Sequence, residues 1–170
     1  HVALGHIKLW LDWDWTAADR EFKRGISLSP SSALAHNQYA MYLATLGRTS
    51  EAIIEARRAL DLDPLSPIVN ADLGWHLLFA GQRAEAIEQF RKTLEFDVNS
   101  VSAHQGLGMT YSLDERHDDA IAELTRALQL SENSPVVMGH LGAAYARRKN
   151  KAATDTVLKD LQALATREYV

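Results

Sequence analysis

The chain has 170 residues, 46% of them hydrophobic and 24% charged, the balance of a folded protein that can bury a real core. Its 18 Lys and Arg against 22 Asp and Glu give −4 with both signs interleaved, so no basic face exists for a phosphate backbone and nucleic acid is not expected as a partner. There is no cysteine, hence no disulfide, thiolate metal site or thiol nucleophile, and no apolar run approaches the roughly 20 residues that span a bilayer, so no membrane contact is expected of this segment.

One period governs the chain. At an offset of 34 residues Pro30 recurs as Pro64, Gly47 as Gly81, Ala18 as Ala52, Ala86 and Ala120, and Ile26 as Leu60, Leu94 and Leu128. Leu73 likewise recurs as Leu107 and Leu141, and Gly74 as Gly108 and Gly142. Six columns in mutual register define a repeat whose unit is two helices of about a dozen residues.

In chain order the helix pairs are expected at about 1–30, 31–64, 65–98, 99–132 and 133–170, a single array over residues 1–170. The first has Asp12-Trp13-Asp14-Trp15 in its turn and one extra residue between Gly5 and Ala18. In the second, Leu34, Tyr39, Leu43 and Leu46 follow helical spacing up to Gly47, and Thr49 or Ser50 is expected to cap the next helix. That helix carries Ala52, Ile53, Ala56, Ala59 and Leu60 on one face and ends at Leu62-Asp63-Pro64. The third and fourth pairs repeat the pattern, the fourth with Glu115 at the inter-helix glycine column, and the fifth has Lys149 there. The last helix, about Lys151 to Arg167, has Val157, Leu161 and Leu164 on one line and Leu158, Leu161 and Ala165 on another. That stripe is wider than one neighbour covers, and the chain stops at Tyr169-Val170, so a segment of a longer protein is expected, which either self-associates through this end or frays.

Glycine inside a helix costs roughly 0.5–1 kcal/mol against alanine, so Gly74, Gly108 and Gly142 need a reason, and close helix approach supplies one. A small residue after a large one, a Leu or aromatic three on, then Ala, Phe or Leu, Ala and Leu down the second helix resembles the tetratricopeptide repeat (TPR). Leu73, Gly74, Leu77, Gly81, Ala86, Phe90 and Leu94 carry the match in one unit. Leu107, Gly108, Tyr111, Ala120, Leu124, Ala127 and Leu128 carry it in the next. The resemblance implies an all-α fold, a right-handed superhelical solenoid of antiparallel helix pairs, that binds a protein or peptide and needs no cofactor.

Candidate chemistry is sparse. Asp12-x-Asp14 and Asp61-x-Asp63 lack the third oxygen ligand and glycine of a calcium loop, and Asp63-Pro64 is ordinary turn chemistry. No two of the seven histidines stand at i, i+4 as a zinc pair, and His36 and His104 share a column two repeats apart, which points to packing. His117-Asp118-Asp119 opens a second helix, where acidic residues favour the positive dipole end. No nucleophile elbow, phosphate loop or acid–base pair occurs, so no enzyme and no metal site is expected.

First helices line the concave face of such an array, and the columns there that do not face the core give the candidate binding residues. They are Asn37, Gln38, Met41 and Thr45; Ala71, Asp72, Trp75 and Phe79; Gln105, Met109 and Leu113; His140, Ala143 and Arg147. Trp75, aligned with Met41 and Met109, is expected to form an apolar stripe with Phe79, oriented by Asn37, Gln38, Asp72 and Gln105. Some members of the resembled family hold a peptide carboxylate with Lys, Asn and Arg. Met41, Ser102 and Gly106 stand where those cations belong, which disfavours that role. The runs Asp12-Trp13-Asp14-Trp15, Leu62-Asp63-Pro64-Leu65-Ser66-Pro67 and Asn70-Ala71-Asp72-Leu73-Gly74-Trp75 further resemble the repeats of bacterial winged-helix regulators, adenylate cyclases and serine/threonine kinases. A sensory or regulatory segment of such a protein is the alternative to a free-standing scaffold. Its place would be the cytoplasm, or outside it if a transmembrane segment precedes it in the full chain.

Overall fold

The computed structural model describes residues 1–11 and 13–167. The described residues form ten α-helices and no strand: α1 (Val2–Trp10), α2 (Trp15–Leu28), α3 (Ala33–Thr45), α4 (Thr49–Leu62), α5 (Pro67–Phe79), α6 (Arg83–Phe96), α7 (Val101–Leu113), α8 (His117–Leu130), α9 (Pro135–Arg147) and α10 (Lys151–Arg167). They fall into two compact units, His1–Gln82 and Arg83–Val170.

In the first unit α1 packs on α2, α2 on α3, α3 on α4, and both α3 and α4 on α5. Its core joins Leu9, Ala18, Phe22, Tyr39, Tyr42, Leu43 and Ala52. Tyr39 and Tyr42 stack at 5.9 Å, and the Phe22 ring lies 5.3 Å from Tyr42. Both phenols stay satisfied, Tyr39 donating to Asp19 at 3.0 Å and Tyr42 to the Trp15 carbonyl at 2.8 Å. In the second unit α6 packs on α7, α7 on α8, α8 on α9 and α9 on α10, with α7 also meeting α9.

The turns inside the helix pairs explain the one irregular column. Trp13, Gly47, Gly81, Glu115 and Lys149, each 34 residues from the next, all have positive φ, from 53° to 77°. Glu115 and Lys149 therefore adopt the left-handed conformation that glycine takes at no steric cost. The backbone N–H just past each turn residue closes the loop on a carbonyl five residues back: Arg48 to Leu43, Gln82 to Leu77, Arg116 to Tyr111 and Asn150 to Tyr145, each 2.9 Å. In the first pair Asp14 N–H reaches back six residues, to Lys8 O, also at 2.9 Å. The extra residue of that pair is taken up there, and the contacts agree: a Cβ on Gly5 would meet the Phe22 ring, as one on Gly108 would meet Leu124 in the corresponding column.

Small residues sit where helices approach. A Cβ on Gly106 would lie 2.3 Å from Phe90 Cζ, one on Gly108 2.5 Å from Leu124 Cγ, and one on Gly142 3.1 Å from Val157 Cγ1. Ala18, Ala52, Ala86 and Ala120 are fully buried.

Two local expectations are corrected. Thr49 and Ser50 do not cap α4: Arg48 is the N-cap residue with no side-chain cap bond, and Thr49 is already helical. The chain leaves the left-handed turn directly into the helix, and Arg48 instead grips Glu51 through Nε and Nη2 at 2.7 and 2.6 Å. The serine caps belong to first helices, where Ser32, Ser66 and Ser100 accept from Ala35, Val69 and Ala103 N–H. Leu34, near the start of α3, and Leu46, at its C-cap, are exposed rather than part of the buried face that Tyr39 and Leu43 supply. In α10, Val157 is buried and Leu161 and Leu164 partly so, while Leu158 and Ala165 face outward. Asp12, Tyr169 and Val170 lie outside the described residues.

Candidate binding surface

In the first unit the candidate residues come from α3 and α5, adjacent first helices. Asn37 is 2% exposed, and its Nδ2 donates to Asp72 Oδ2 at 2.7 Å. Asn37 thus lies beneath the surface, its amide turned to Asp72. Burial pushes the Asp72 carboxyl up from its ordinary value, against the opposing effect of the Asn37 hydrogen bond. Gln38 is half-buried and tied to α1, its Oε1 2.5 Å from His6 Nε2. Trp75 is half-buried and stacks on Phe79, ring centroids 5.7 Å apart at 28°. Phe79 is 68% exposed and Met41 42%. The apolar residues therefore reach solvent while the flanking polar ones are partly engaged within the fold.

In the second unit Gln105 and Met109 are half-buried on α7. Gln105 Nε2 lies 3.0 Å from His140 Nδ1 on α9. This bond and the Asn37–Asp72 bond occupy the same pair of columns two repeats apart, so the polar columns tie neighbouring first helices together. Burial lowers the proton affinity of His140. Met109, Ser112, Leu113, Leu124, His140, Ala143 and Arg147 line a pocket of about 110 Å³, with Arg147 Nη1 donating to the Ser112 carbonyl at 3.1 Å.

The shared histidine column is structural. His36 Nδ1 lies 2.6 Å from Glu55 Oε2 and its Nε2 3.0 Å from the Pro30 carbonyl. His104 repeats this with Glu123 at 2.6 Å and the Val98 carbonyl at 3.1 Å. Asn70, in the column between them, donates to the Pro64 carbonyl at 3.0 Å. The capping serines recur at the same period, as Ser32, Ser66 and Ser100, a signal legible in the sequence, whereas Asn70 stands alone between two histidines. Asp61 and Asp63 are exposed at the end of α4, and Asp118 and Asp119 occupy the first turn of α8. His76 is buried on α5 with no hydrogen-bond partner for Nε2 among the described residues, and burial lowers its proton affinity.

Repeated helix pairs with small residues at fixed columns and a left-handed turn every 34 residues define an all-α repeat scaffold. The tetratricopeptide repeat model matches residues 14–67 and 71–135, more than half of the chain, and the protein belongs to that family. Among solved structures, MamA is 18% identical with a TM-score of 0.79, the match covering 97% of this chain and 96% of that one. PilW, a type IV pilus biogenesis factor, is 21% identical with a TM-score of 0.89, covering 95% of this chain and 74% of its own. The APC/C hetero-tetramer Cut9-Hcn1 is 21% identical with a TM-score of 0.86, covering 97% of this chain and 33% of that chain. At such identities these neighbours speak for the fold alone. No curated protein matches the sequence. The fold supports a role as a protein–protein interaction scaffold, and TPR proteins are in general non-catalytic and bind proteins or peptides. No described helix is long and apolar enough to cross a membrane.

Proposed function

We propose that the chain is a non-catalytic scaffold that holds a peptide segment of a partner protein on the faces of its first helices, with Trp75 and Phe79 as anchors and Met41 and Met109 beside them in sequence register. The observation that carries this reading is the Trp75–Phe79 stack, in which a half-buried indole backs a ring that is 68% exposed. Asp72 and Gln38 supply polar contacts in the first unit and Gln105 in the second, while Asn37 acts by holding Asp72. Peptides selected from a displayed dodecapeptide library on the intact chain test it. Trp75→Ala is expected to weaken their binding by about 2 kcal/mol, as for an interface anchor. Selected peptides indifferent to Trp75→Ala and Phe79→Ala would refute the reading.

The alternative, a regulatory segment of a larger bacterial signalling protein, draws on the first turn. Trp13, at the left-handed position of that turn, is largely exposed and meets Trp15 edge-on at 6.4 Å, which leaves aromatic surface open to a neighbouring domain. Reading the full-length frame tests it, since an adjoining kinase, cyclase or winged-helix domain is the expected outcome.

A further inference from the structure

The first unit carries a half-buried carboxylate that no cation neutralises among the described residues. Asp19, Glu51, Glu55, Asp114, Asp118 and Asp119 each have a lysine or arginine within 4.0 Å, and Glu123 has His104. Among the described residues Asp72 has Asn37 alone, on Oδ2. Helices α3 and α5 contain no lysine or arginine, and Asp72 is the one acidic residue in either. The fold thus holds a negative charge in a partly desolvated place, at a cost that an incoming cation would offset.

The surroundings favour one kind of cation. Trp75 stands one turn along α5 on the same face as Asp72, and Phe79 one turn further, stacked on the indole. Met41, on α3, adds exposed apolar surface. An ammonium is compact and strongly hydrated, so it gains little from a flat aromatic wall. A guanidinium is planar and weakly hydrated, stacks on an indole, and still donates sideways to a carboxylate. Because Asn37 fixes Oδ2, the second carboxylate oxygen is left to accept.

We infer that Asp72 and the Trp75–Phe79 pair form a receptor for an arginine side chain of the bound segment, the guanidinium donating to the carboxylate with its face on the indole. This deepens the peptide-binding reading and rests on it.

The test uses the intact chain and three fluorescein-labelled pools of dodecapeptides, randomised around a fixed central arginine, citrulline or glutamate, read by fluorescence anisotropy. Citrulline keeps the shape of arginine without its charge. The arginine pool is expected to bind about ten-fold more tightly than the citrulline pool. Asp72→Asn, whose amide oxygen can still accept from Asn37, should abolish that preference, and Asp72→Lys should shift preference to the glutamate pool. Equal binding of the arginine and citrulline pools, lost on Trp75→Ala, overturns the arginine receptor while leaving the peptide-binding surface standing. Binding insensitive to Trp75→Ala, or none by any pool, overturns both. Should Asp72→Asn lose its helical circular dichroism, the arginine-to-citrulline ratio on the unaltered chain decides alone.

Discussion

Two glycines in consecutive first helices predict opposite outcomes for one substitution. Gly106 lies in α7, and a Cβ there would stand 2.3, 2.5 and 2.6 Å from three ring atoms of Phe90, a fully buried side chain. Gly139 lies in α9, and a Cβ there would meet nothing within 4 Å. Both residues are inside helices, so replacing either by alanine gains about 0.5–1 kcal/mol of helix propensity. At Gly139 nothing opposes the gain, and Gly139→Ala should stabilise by that amount. At Gly106 the ring must move by about 1 Å in a packed interior, and overpacking of this kind costs about 1–3 kcal/mol, so Gly106→Ala should destabilise by about 1–2 kcal/mol net. For a chain of this size a change of 1 kcal/mol moves the thermal midpoint by about 2–4 °C. Thermal and urea unfolding by circular dichroism should therefore place the two variants on opposite sides of the unaltered protein. Arrays of repeats can unfold in stages, so both probes should be compared at matched signal. A Gly106→Ala variant as stable as the unaltered protein would show that the ring yields freely and would refute the close-approach argument.

Five further outcomes are expected. Ala86→Leu, at a fully buried position, should cost about 1–3 kcal/mol in urea unfolding. Glu115→Gly, at φ 60°, should stabilise by about 1 kcal/mol, while Gly47→Ala, at φ 73°, should destabilise to a similar extent, both by thermal melting. Burial holds the folded-state proton affinity of His76 below its ordinary value of 6.5, so between the lowered value and 6.5 the unfolded chain binds a proton that the folded chain refuses. Its contribution to stability is lost as pH falls below 6.5, and urea midpoints across that range should fall less steeply for His76→Leu. Arginine-pool binding should weaken on acidification from just above the ordinary carboxylate range, because burial raises the Asp72 carboxyl and its protonation removes the charge.

The sequence alone determined the fold because the information is local and repeated. Ala18, Ala52, Ala86 and Ala120 fall at one spacing, and the structure buries all four completely. Gly47 and Gly81 marked a turn column that Glu115 and Lys149 obey despite their side chains, since the pitch of the helix pairs imposes the left-handed conformation there. Columns likewise separated exposed Phe79 and half-buried Trp75 from buried Leu73 and Leu77. The pairing of side chains across helices was not legible. That Asn37 turns inward to hold Asp72, that Gln105 meets His140, and that Arg48 grips Glu51 while Thr49 caps nothing depend on side-chain direction and on which helix lies alongside. A period gives residues that share an environment, but it does not give their partners across the packing. Asp72 makes the difference plain: its column named it a groove residue, whereas the tie to Asn37 and the lack of any cation beside it, on which its proposed specificity rests, came only from the packing of α3 against α5.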